Sequence, residues 1–134
     1  MPHISSKKLK KEVLNKLYSE FSGALDKSAR KSRTRLFLGD LLTRTEKIML
    51  AKRFAVIYLL SKKVPHSYIA ESLGISYPTI SRMSLKYDLG KYSSLLKTIK
   101  SLDQKDIWRI LEEILKAGLP PRAGRGRWKF LYNK

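Results

Sequence analysis

The chain has no cysteine, only two histidines, and only 11 Asp+Glu against 29 Lys+Arg in 134 residues. Without cysteine there are no disulfides and no thiolate metal sites, which fits a cytoplasmic protein. His3 and His66 stand far apart and outside any His-Glu-x-x-His spacing, so neither a metal nor another cofactor is expected. No apolar run reaches the roughly 18 residues needed to span a bilayer. The opening MPHISSKKLKKE is charged and has no signal-peptide core, so no membrane partner is expected. The few acids do not cluster: Asp103 and Asp106, and Glu112 and Glu113, are accounted for by helix capping and solvated faces. With no two-metal carboxylate set, no paired histidines and no glycine-rich phosphate loop, the chain does not read as an enzyme. There is no internal repeat.

What the chain has is positive charge. A formal net charge of +18 on a domain-sized protein repels itself unless a polyanion is present, so nucleic acid is the expected partner.

The stretch that gives this charge a purpose is HSYIAESLGISYPTISRMSL, residues 66–85. Ile69, Ala70 and Leu73 lie on one face of a short helix. Gly74 supplies the positive φ that a sharp turn needs. Ser76 suits the N-cap of a second helix over 76–86, and Pro78 falls in its first turn, where a missing N–H does no harm. Ile80 and Met83 can fold back onto the first helix, while Ser76, Tyr77, Thr79, Ser81 and Arg82 remain outside. This is the pattern of a helix-turn-helix, whose second helix enters the DNA major groove. A plain pair of packed helices gives the same apolar spacing, and the cationic charge favours the DNA reading over it.

Before this unit, Leu9, Val13, Leu14, Leu17, Tyr18 and Phe21 form an apolar stripe on a helix expected from Ser6 to Ser22. Residues 23–34, basic and polar, suit either an extension of that helix or a linker. Arg35 to Leu42 is apolar nearly all round and is expected to be buried, with a second copy of the chain as one possible cover. Thr43-Arg44-Thr45-Glu46 is a capping box opening a helix to about Ser61, which Val64-Pro65 stops. After the turn at Asp88-Leu89-Gly90, a short helix is expected over Tyr92 to Ile99. A second capping box at Ser101 to Gln104 then opens a helix through Ala117, with Ile107, Ile110, Leu111, Ile114 and Leu115 on one face. Gly118 and Pro120-Pro121 end it. The fold is therefore expected to be all-α. It divides into N-terminal dimerisation helices (1–42), a helix-turn-helix core (43–90), C-terminal helices (91–118) and a basic aromatic tail (119–134).

In the tail, Arg122, Arg125 and Arg127 are separated by small residues, a form that suits a narrow minor groove. Trp128, Phe130 and Tyr132 suit base stacking or packing onto the protein's own core. His66 suits a surface or phosphate-facing role, with pH sensing as a lesser alternative, Lys86 joins the DNA-binding set, and Arg82 suits either a guanine or a phosphate. The functional expectation is a sequence-specific transcriptional regulator, a repressor in the first instance. The alternative is an architectural or RNA-binding basic protein with little sequence preference.

From Leu42 to Arg82 the chain resembles the Trp repressor superfamily, and within it the small YerC/YecD-like bacterial members. The residues that carry the likeness are Leu42-Thr43, Leu50-Ala51-Lys52-Arg53, Leu59-Leu60-Ser61, Ile69-Ala70-Glu71, Leu73-Gly74 and Thr79-Ile80-Ser81-Arg82. The resemblance implies an intertwined, all-helical homodimer that presents two recognition helices to double-stranded DNA, with half-sites about 34 Å apart. It also implies where an effector would sit, with Arg53 or Lys52 and Arg82 gripping a ring and Thr43 near its amino end. The position after the recognition-helix arginine, glycine in Trp repressor, is Met83 here. A methionine side chain fills the space a ring requires, so no tryptophan corepressor is expected.

Overall fold

The computed structural model describes residues 8–102 and 104–118. Among them it contains seven helices and no strand: α1 (Lys11–Arg30), α2 (Thr34–Leu41), α3 (Arg44–Ser61), α4 (His66–Leu73), α5 (Tyr77–Asp88), α6 (Ser93–Lys100) and α7 (Gln104–Gly118). No helix among the described residues is long and apolar enough to cross a membrane. The chain separates into two compact units, residues 1–47 and 48–134.

In the first unit, α1 begins five residues later than its stripe suggests, because Lys10 is still extended (φ −60, ψ 140) and offers no side-chain cap. It then continues through Gly23 to Arg30, which settles the 23–34 segment largely as helix. A single interior glycine costs only about 1 kcal/mol, and Ala24, Leu25 and Ala29 favour continuation. Ser32, at φ 54, reverses the chain, and the Arg33 N–H donates to the Ser28 carbonyl at 2.8 Å. α2 then packs back on α1, with the rings of Phe21 and Phe37 stacked at 6.3 Å. The expectation that α2 would be buried fails in the single chain: it has no buried residue, and Leu36 is 67% exposed. α1 likewise buries nothing, so Val13, Leu14, Leu17 and Tyr18 keep their apolar stripe in solvent. The Thr43 capping box is present. The Thr43 N–H donates to Glu46 Oε1 at 2.8 Å, and the Glu46 N–H donates to Thr43 Oγ1 at 3.1 Å.

The second unit holds the core. Ala55, Val56, Tyr58, Leu59 and Leu60 from α3 meet Ile69 and Leu73 of α4, Ile80 of α5, Ile99 of α6, and Trp108, Leu111 and Leu115 of α7. Burial raises the Tyr58 phenol above its ordinary pKa, since a phenolate there would lose its water. The α7 face differs from the expected one. Trp108 is buried, whereas Ile110 is 59% exposed. α7 docks chiefly on α4, so the packing line runs through Trp108, Leu111 and Leu115. At the second capping box, the Ser101 hydroxyl donates to the Thr98 carbonyl at 2.6 Å. The Gln104 side of that box lies outside the described side chains.

α3 ends without glycine. Lys63 takes φ 59, the Lys63 N–H donates to Leu60 O and the Val64 N–H to Leu59 O. Val64 is thereby tucked into the core at 3% exposure. A non-glycine residue held left-handed costs about 1 kcal/mol or more. Lys63→Gly is therefore expected to stabilise the protein by about 0.5–1 kcal/mol, read as a rise in the urea midpoint.

Candidate nucleic-acid interface

The site is built on the joint between α4 and α5. α4 ends at Gly74, whose φ of 65 is left-handed, and the Ile75 N–H returns to the Ala70 carbonyl at 3.1 Å. There is room for a Cβ on Gly74, so the constraint at this position is the backbone angle. Two residues on, Ser76 caps α5, its Oγ accepting from the Thr79 N–H at 3.4 Å, with Pro78 in the first turn. Ile80 is fully buried, and Met83 and Tyr87 pack against the core from the same side of α5.

This packing leaves an outer face. Ser76, Tyr77, Pro78, Arg82 and Lys86 are exposed, while Thr79 and Ser81 are half-buried. These side chains are organised among themselves. The Ser76 and Thr79 hydroxyls lie 2.8 Å apart, and Arg82 Nη2 donates to Thr79 Oγ1 at 3.2 Å. The guanidinium is thus laid along the helix toward its N-terminal turn. His66, in the first turn of α4, brings its ring to 6.0 Å from that of Tyr77. α5 has no acid in its first turn, and its single carboxylate is Asp88 at the far end. The face is therefore uniformly cationic or neutral toward a polyanion. Leu85, 61% exposed, also lies on the outer side of α5 and was not among the expected site residues. Nothing in its spacing distinguishes an exposed leucine from a core one.

Arg53 is exposed on α3, and Lys52 reaches toward the turn, where a Cβ on Gly74 would lie 3.7 Å from its Nζ. Thr43 Oγ1 accepts from the Glu46 N–H in the first unit. A cavity in the second unit includes Lys52 among its walls but neither Arg53 nor Arg82. Arg122, Arg125 and Arg127 lie outside the described residues, as does the rest of the tail.

A short capped helix presenting hydrogen-bonding and cationic side chains, held across a glycine turn by a small-residue helix, defines a helix-turn-helix protein. The profile of the family described as Trp repressor protein matches residues 16–100, and the chain belongs to that family of DNA-binding helix-turn-helix regulators. No curated protein and no solved structure matches the chain.

Proposed function

We propose that the protein is a sequence-specific transcriptional repressor that acts as a homodimer in the cytoplasm and inserts α5 into the major groove of double-stranded DNA. The observation that carries this reading is the division of α5. Ile80 and Met83 fix it to α4, and Ser76, Tyr77, Pro78 and Arg82 are left projecting together. Ser76, Tyr77, Thr79 and Arg82 are the base-facing set, and Ser81 lines the groove beside them. His66 and Lys86 contact phosphate. Arg122, Arg125 and Arg127 add a minor-groove grip. The exposed apolar stripe of α1 and the bare α2 support a second copy as their cover, since a stripe of that width left in water is costly. Met83 takes up space against the core beside Arg82, which supports a regulator that works without tryptophan.

Selection of bound duplexes from a random pool at physiological salt tests the proposal. A pseudo-palindromic motif with half-sites one helical turn apart is the expected product. No enriched motif, with specific binding less than about 10³ tighter than nonspecific, would instead assign the protein to architectural or RNA binding.

A further inference from the structure

The second unit contains a cavity of about 280 Å³ that the DNA-binding reading leaves unused. It is an open hollow lined by Ala51, Phe54 and Ala55 of α3, Leu73 at the end of α4, and the outer row Ile107, Ile110 and Ile114 of α7. Its size is that of a small ligand site. Apart from Lys52, the lining side chains are all apolar. The Lys52 ammonium, at the helix-turn-helix joint, has no ion pair or hydrogen bond among the described residues. An ammonium flanking an apolar hollow is best satisfied by an anion that brings its own apolar body. A single cation matches a monoanion. No acid lines the cavity, so a zwitterionic amino acid would leave its own ammonium unmet.

We propose that this cavity binds a small apolar carboxylate, with its chain or ring between α3 and α7 and its carboxylate on Lys52. α7 lies beyond the stretch that the family profile covers, so one side of this wall, Ile107, Ile110, Leu111 and Ile114, comes from outside the matched region.

Calorimetry on the free full-length chain, with decanoate below its micelle threshold as probe, tests the assignment independently of any DNA. Saturable binding of one decanoate per chain with Kd below about 100 µM is expected, and decanol and tryptophan should bind at least about tenfold more weakly. Lys52→Met should cost about tenfold or more. Lys97→Met, on α6 and away from the cavity, should change Kd by less than about twofold, which separates a seated carboxylate from diffuse attraction to a cationic protein. Ile110→Glu, at an exposed position, should abolish binding while the helical circular dichroism is retained. The proposal is overturned by absence of saturable binding, by equal affinity for decanol, or by equal losses from the two lysine variants. It is also overturned if Ile110→Glu halves the mass in solution, a result that would give the cavity to a second copy.

Discussion

Ile80→Ala is expected to lower the unfolding free energy by about 2–5 kcal/mol, because it removes a fully buried side chain at the contact between α5 and α4. Stabilities of domains this size are commonly about 5–15 kcal/mol, so the variant should lose a large share of its margin. Urea titration followed by circular dichroism measures the loss. Leu85→Ala is the control, since Leu85 on the same helix is 61% exposed. It should stay within about 0.5 kcal/mol of the parent. Similar costs at the two positions would mean that α5 is not oriented as described. The larger consequence is for binding, because Ile80 sets which side of α5 faces outward.

Arg82→Ala is expected to weaken binding to the selected duplex by about 1–3 kcal/mol, roughly 5- to 150-fold, with the loss concentrated at one base pair. The side chain is exposed, so stability should change little. Its guanidinium is already tied to Thr79, which restricts the rotamers it would otherwise lose on docking. Competition with duplexes substituted one base pair at a time distinguishes the two ways an arginine can act. A guanine contact gives relaxed discrimination at a single position. A phosphate contact lowers affinity uniformly and reduces the salt slope by about one.

The helix-turn-helix was legible in the sequence because each of its signals is local. Gly74 marks the left-handed turn, Ser76 the cap, Pro78 the first turn, and Ile80 with Met83 the inward side. The Thr43–Glu46 capping box was equally plain, being two side chains three residues apart that serve each other's backbone. The end of α3 at Ser61 was legible from Val64-Pro65, but the left-handed residues that follow α1 and α3 were not. Ser32 and Lys63 take left-handed angles at positions where their side chains give no hint, and the same geometry at Gly74 and Gly90 is announced by the residue type.

Faces set by distant partners were also hidden. The 3.6-residue period of α7 allows Ile110 or Trp108 to be core, and docking on α4 decides for Trp108. The apolar character of α2 was read correctly, but burial within one chain did not follow from it, because apolarity does not say whether the cover is intramolecular. At the site, the outward residues of α5 were identifiable one by one. Their hydrogen-bonded arrangement, Ser76 to Thr79 to Arg82, and the approach of His66 to Tyr77 depend on side-chain rotamers and on the α4–α5 packing, which residue types do not announce.

Everything functional depends on the outer face of α5 meeting base edges in the wide groove, and methylation interference on the selected duplex measures this directly. Methyl groups at guanine N7 project into the major groove and those at adenine N3 into the minor groove. Strong interference from N7 methylation within each half-site, lost at one position in Arg82→Ala, is the predicted result. Interference confined to adenine N3, with N7 methylation tolerated throughout, would contradict the placement of α5.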